Sequence, residues 1–336
     1  MLQKFIIALL SLTLAAVCGA WGYSAWSRGT VALVVTPAGA SAPVPVAEAA
    51  PKPVARFAAA NSASGADFSY EYVAPRSAAL LPVYERVRDA DLLRKLPEID
   101  TLDGLLVLPR PLRYVTAECK SADAFYLSAK GEVVLCYETL QVLHEQGQAL
   151  GRDNKLGDEF ARQYVLANTR FIVAHETGHA LIDQLDLAIT GREEDAVDQL
   201  ATTLMQRFAR ADESPQQVAE NLRMAGNWFL ARAQGQYNLD AYADEHALGE
   251  QRYFNLQCLI YGGNPARFVN IVTDGDLPEA RAQKCPDEAR RAGRSWLRLL
   301  LPHVAPKYAM TEAKANRFFM QQEHARARNA EGPYLR

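Results

Sequence analysis

The sequence predicts an α+β fold, mostly helical, with a small β-sheet near its start and a pair of adjacent helices carrying the polar site. Three observations lead there. Residues 158–185 run without proline and with Gly178 as their only glycine, long enough for a major helix. Residues 112–138 hold β-rich runs, "LRYVTAEC" and "AFYLSAKGEVVLCYE", whose alternation and central "SAKG" read as a strand and a hairpin. Beyond residue 190 the patterning is helical almost throughout.

The 336 residues are 49% apolar with a net charge of −3. That suits a globular chain with a sizeable core. The two signs of charge are interspersed, so no field favours nucleic acid, and no nucleic-acid partner is expected.

The chain opens with Lys4, an apolar run from Phe5 to Val17, and the small residues Gly19 and Ala20. Residues 1–20 read as a signal peptide cleaved after Ala20, or as an anchor if Phe5 to Tyr23 stays in the membrane. Lipidation of Cys18 is a third route, which bulky Val17 disfavours. Each places the remainder outside the cytoplasm: periplasmic or extracytoplasmic, secreted or held at the inner membrane. Residues 21–66 form an Ala/Pro-rich linker. Residues 67–310 form the domain, and 311–336 a mildly basic tail expected to fray.

Export makes the cysteines informative. Besides Cys18 there are Cys119, Cys136, Cys258 and Cys285, an even number that suggests two disulfides. The local pairs 119–136 and 258–285 are favoured because each spans a short segment containing turn signals. Four buried thiols are the alternative.

Helices are expected over 81–96, 137–148, 158–185, 193–210, 215–233, 243–261 and 287–301. In the third, Val165, Ile172, His175, His179 and Ile182 make one stripe. In the fourth, Val197, Leu200, Ala201, Leu204, Met205 and Phe208 face inward.

His175 and His179, four apart, stack on one helical face, where two neutral imidazoles can hold one Zn²⁺. Glu176 is rotated about 100° away, unable to join the same ion but able to reach a water. This is the H-E-x-x-H arrangement: two ligands and a carboxylate base. A third ligand should come from the next helix, where Glu193, Glu194, Asp195 and Asp198 are available. Glu194 shares the inward stripe and is the choice for metal ligand. Asp198, one turn on, is placed to take the free N–H of a zinc histidine, His175 above all. The alternative, an acidic helix N-terminus stabilised by the dipole, explains Glu193 and Asp195 well and an inward Asp198 poorly. Gly178 beside the histidines leaves room for a substrate strand or a neighbouring element.

"HETGHALIDQLDL…GREEDAVDQLA", "AFY…VVLCYE" and "DEHALGEQRYFNLQCLIYGGNP…C" together resemble a family of bacterial proteins grouped as candidate metallopeptidases and catalogued mainly as a domain of unknown function. The resemblance spans about residues 80–290. It implies a zincin-like fold with a glutamate as third zinc ligand and an acidic residue four positions later, matching Glu194 and Asp198. The gap from His179 to Glu194 is shorter than in the best-known glutamate zincins.

The expected chemistry is hydrolysis of a peptide or protein, with Zn²⁺ on His175, His179 and Glu194 and with Glu176 taking the proton of the attacking water. His246 in "DEHALGEQRYF" is the candidate to stabilise the oxyanion, backed by Arg252 or Tyr253; a polar residue in the first turn of a helix is the plainer reading. "EVVLCYE" is the candidate strand for binding substrate backbone by β-addition. His144, His303 and His324 read as isolated. Two other readings stand beside the peptidase: an inactive zincin-fold envelope binding module, and a zinc amidase acting on a non-peptide or cell-wall substrate. Asp274 and Asp276 in "TDGDLP" read as a turn rather than a calcium loop.

Overall fold

A computed structural model describes residues 68–233 and 239–334. The leader, the membrane-anchor alternative, Cys18 and the linker of residues 21–66 lie outside the described residues. Among the described residues, no helix is long and apolar enough to cross a membrane.

The sheet has four strands, β1 (Phe68–Tyr72), β2 (Leu112–Ala117), β3 (Ala124–Leu127) and β4 (Glu132–Cys136), in the order β1-β2-β4-β3. β1 and β4 run parallel to β2, while β3 pairs antiparallel with β4 in the expected hairpin. β3 is therefore an edge. β4 is paired on both sides, which rules out "EVVLCYE" as an acceptor of an added strand; its N–H and C=O groups are already used by β2 and β3.

Two helices precede β2, α1 (Leu81–Asp89) and α2 (Pro97–Leu102). A single helix over 81–96 was expected. It stops because Asp91 adopts a left-handed conformation (φ 49°) and Pro97 starts a new helix, forcing Leu96 into extended backbone. After β4 come α3 (Tyr137–Asp153), α4 (Asp158–Leu185), α5 (Glu193–Arg207) and α6 (Pro215–Arg232). The remaining helices are α7 (Leu239–Ala243), α8 (Gly249–Gly263), α9 (Asn270–Thr273), α10 (Glu279–Ala282), α11 (Cys285–Leu300) and α12 (Glu312–Arg326). The helix expected over 243–261 starts later, because Asp244 to Leu248 form a loop in which Asp244 accepts the His246 amide.

α4 is the central rod. Asp158 and Glu159 complement the dipole at its start, and Asp186, left-handed at φ 50°, ends it. It packs against α3, α5, α6 and the sheet, so it is buried almost all round. The expected stripe is only part of that surface: Val165 and Ile172 are half-buried, and Ile172 faces a cleft with His175.

Gly178 explains how closely α5 approaches. A Cβ there would stand 2.8 Å from Val197 Cγ1, inside van der Waals contact. The glycine makes room for the neighbouring helix. Val197, Leu200, Ala201, Leu204 and Met205 of α5 are buried as expected, while Phe208, just past the helix end, is half-buried.

The disulfides are Cys119–Cys136 and Cys258–Cys285, the local pairing. The C-terminal residues expected to fray instead include α12, with Ala315 and Arg326 buried and Tyr334 packed edge-on against Phe160.

Candidate metal centre

α4 presents His175 and His179 one above the other, with ring centroids 5.1 Å apart. The first turn of α5 brings Glu194 against them. The donor atoms of His175, His179 and Glu194 all lie within 4.8 Å of one another. His175 Nε2 is 3.1 Å from Glu194 Oε2, and His179 Nε2 is 3.2 Å from Oε1. Donors about 2.0–2.1 Å from a tetrahedral ion stand roughly 3.3 Å apart, so these separations suit one shared ion.

The hydrogen-bond pattern sharpens this. His175 Nδ1 bonds to Asp198 Oδ1 at 2.9 Å, and His179 Nδ1 to Glu193 Oε1 at 2.7 Å. A carboxylate on each Nδ1 fixes that nitrogen as an N–H, so that once the ring is neutral its Nε2 lone pair is turned towards Glu194. Glu194 Oε2 is fully buried and has no hydrogen-bond partner in line with it, although ring nitrogens stand 3.1 Å away. A buried orphan oxygen facing lone pairs is what a cation would satisfy.

Asp198 is gripped in turn. Arg252 of α8 donates to both of its oxygens, Nε at 2.8 Å and Nη2 at 2.7 Å, and its guanidinium stacks 4.0 Å over the Phe229 ring. Burial alone would raise the Asp198 pKa; Arg252 and His175 hold it below the usual carboxylate range.

The two histidines respond alike to their surroundings. Burial works against the charged form of each, but the carboxylates prevail: Asp198 and Glu194 lift His175 to about 9, and Glu194 and Glu193 lift His179 to about 9. Burial likewise opposes ionisation of Glu194, and the three imidazoles around it drive it far below the carboxylate range.

Glu176 points elsewhere. It lines an open cleft of about 680 Å³ together with His175, His246, Phe171, Ile172 and Asp123. Burial raises its pKa, with His175 and His179 pulling the other way. His246 reaches the same centre from the loop before α8: Nε2 lies 3.1 Å from Glu194 Oε2, and Nδ1 lies 2.9 Å from Asp244 Oδ1. It is not a residue of a helix's first turn.

Five residues singled out from the sequence thus meet at one place, His175, His179, Glu194, Asp198 and His246, and Glu176 shares the adjoining cleft with His175 and His246. His144, His303 and His324 are not among them. Three contributors carried no decisive sequence signal. Glu193, read as a helix-dipole residue, holds His179. Asp244 holds His246, and Arg252 serves Asp198 rather than standing behind His246.

No curated protein matches the chain, and no solved structure does. One family model, described as "Putative metallopeptidase", matches residues 72–300, which take in every residue of the centre. The chain belongs to that family.

Proposed function

We propose that the protein is an exported zinc metallopeptidase, with His175, His179 and Glu194 as the metal ligands and Glu176 as the general base. The observation that carries this is the Glu194 carboxylate, one oxygen buried and orphaned, facing the Nε2 atoms of two imidazoles whose Nδ1 atoms are both committed to carboxylates. Two nitrogens and a carboxylate, with one side open to a cleft, fit zinc in its catalytic rather than its closed structural form. Bound there, Zn²⁺ supplies Lewis-acid polarisation and lowers the pKa of a water from about 15.7 towards 7.

The protein's own groups do the rest. Asp198 and Glu193 hold the imidazoles in one tautomer, so no reorganisation accompanies binding. Glu176, raised by burial, accepts the proton of the attacking water and returns it to the leaving amine nitrogen. His246, held through Nδ1 by Asp244 and with its pKa raised by Glu194 and Asp244, offers Nε2–H in its charged form to the oxygen that gains charge.

Substrate backbone has an open strand edge available on β3, in place of β4. Tyr126 and Ser128 bond to Asp183 of α4 at 2.7 and 2.8 Å, clamping this edge beside the catalytic helix. Ala122, Asp123 and Ala124 line the cleft. An extended peptide adding to β3 would cross in front of Glu176. The paired disulfides and the leader support an oxidising compartment outside the cytoplasm.

The test is zinc stoichiometry and peptide-library cleavage on the full chain and on Glu176→Gln. One zinc per chain in both, with hydrolysis lost only in the variant, is expected. Absence of zinc from the wild type favours the binding module, unchanged hydrolysis removes Glu176 as base, and cleavage confined to cell-wall fragments favours the amidase.

A further inference from the structure

Two chambers flank the C-terminal half of α5, well along the helix from Glu194. One, of about 660 Å³, is walled by Leu200, Leu204, Trp296, Leu297, Leu300 and Phe318. The other, of about 360 Å³, has a mixed lining that includes the polar residues Gln206, Asn264, Asn316 and Glu323. They share a wall made of Thr203, Arg207, Gly293, Phe319 and Arg326.

That wall is basic and under-partnered. Arg326 is 5% exposed; its Nη2 donates to the Gln206 carbonyl at 2.7 Å, while its buried Nε has no partner. Arg207 lies over the Phe319 ring at 4.5 Å and against Gly293, whose added Cβ would come 3.3 Å from Nη2. Burial works against the Arg207 charge, with Glu323 offsetting only part of it. Around the smaller chamber stand Arg207, Arg290 and Arg326 against Glu323. A buried guanidinium nitrogen left unpaired is costly unless something occupies the site.

We propose that this cavity binds a long-chain carboxylate, its headgroup bridging Arg207 and Arg326 and its alkyl chain lying in the Trp296–Leu297 chamber. A planar carboxylate matches the guanidinium fork and would supply the acceptor that Arg326 Nε lacks. The volumes lie within the roughly 300–1,000 Å³ range of small-molecule sites. Phe318, Phe319 and Arg326 come from α12, which follows the span matched by the family model. The remaining named lining, Leu200, Leu204, Arg207, Trp296 and Leu297 among it, lies within that span, and none of the wall residues is a proposed metal ligand.

Palmitate and hexadecanol, titrated separately into the full chain by calorimetry, test this. Palmitate binds one to one and more tightly than the alcohol. Arg207→Gln, at the wall's accessible side, weakens palmitate about tenfold or more and leaves hexadecanol unchanged. Leu297→Trp, which fills the apolar chamber, abolishes both; circular dichroism confirms that each variant is folded. No saturable palmitate binding, equal affinities for acid and alcohol, or an Arg207→Gln protein with unaltered palmitate affinity overturns the proposal. So does tighter binding of a monoacyl glycerophosphate, which would make phosphate the ligand.

Discussion

Asp198 Oδ1 lies 2.9 Å from His175 Nδ1, and Arg252 holds both oxygens of the same carboxylate. The carboxylate cannot rotate without breaking a bidentate charge-assisted pair, so the ring it orients is locked. Asp198→Asn keeps the shape and removes the charge. Zinc affinity, measured by competition with a chromogenic chelator, is expected to fall about 10–100-fold. Unchanged affinity would show that the hydrogen bond does not tune the ligand.

Proton inventory gives a second prediction. The carboxylates around them raise His175 and His179 to about 9 when no metal is bound, above the ordinary imidazole value of 6.5, so both rings are charged at pH 7.5. Their raised folded-state pKa values contribute stability that is fully present below 6.5 and is lost as pH rises through about 9. Metal-free protein should therefore lose thermal stability across that window, while zinc-loaded protein should not. Zinc binding at pH 7.5 should release close to two protons, read from calorimetry in buffers of different ionisation enthalpy. Binding without proton release would contradict the ring assignments.

Gly178 tests the helix spacing. In Gly178→Ala the new methyl meets Val197 at 2.8 Å, and α5 must shift to admit it. Overpacking of this kind costs about 1–3 kcal/mol. Because α5 carries Glu194, metal affinity should fall with stability. Val197→Ala in the same background should restore much of both, a coupling that a double-mutant cycle measures.

The disulfides close sequence separations of 17 and 27 residues. Replacing either pair by serines should cost about 2–4 kcal/mol in denaturant unfolding. The effect on zinc affinity should be larger for Cys258–Cys285, since Cys258 lies on α8, the helix that carries Arg252, whereas Cys119 and Cys136 follow or end β2 and β4, which bear no group of the centre. Equal loss of metal affinity in both variants would indicate a more tightly coupled fold than the packing shows.

How much of this was legible in the sequence follows from how local each feature is. α4 was readable to the residue because an unbroken periodic run leaves no competing structure. Glu194 and Asp198 were readable because one inward stripe on α5 fixes both. The strand order was not, since β1 joins the sheet from across α1 and α2, and nothing in "EVVLCYE" says it lies inside. Arg252 was visible only as a nearby residue: its partner is 54 positions away, and one charged side chain on a helix carries no address. α12 has no strong apolar face, so its docking depends on a surface that only tertiary structure creates.

Asp186 to Arg192 are all that separates α4 from α5, so all three proposed donors arise within one helix–turn–helix. Capture of zinc would staple this hairpin across a short loop, at little entropic expense compared with ligands drawn from distant parts of the chain. Such a clasp can close while the remaining helices are still unplaced. Zinc supplied during folding, rather than afterwards, should then accelerate the appearance of native protein.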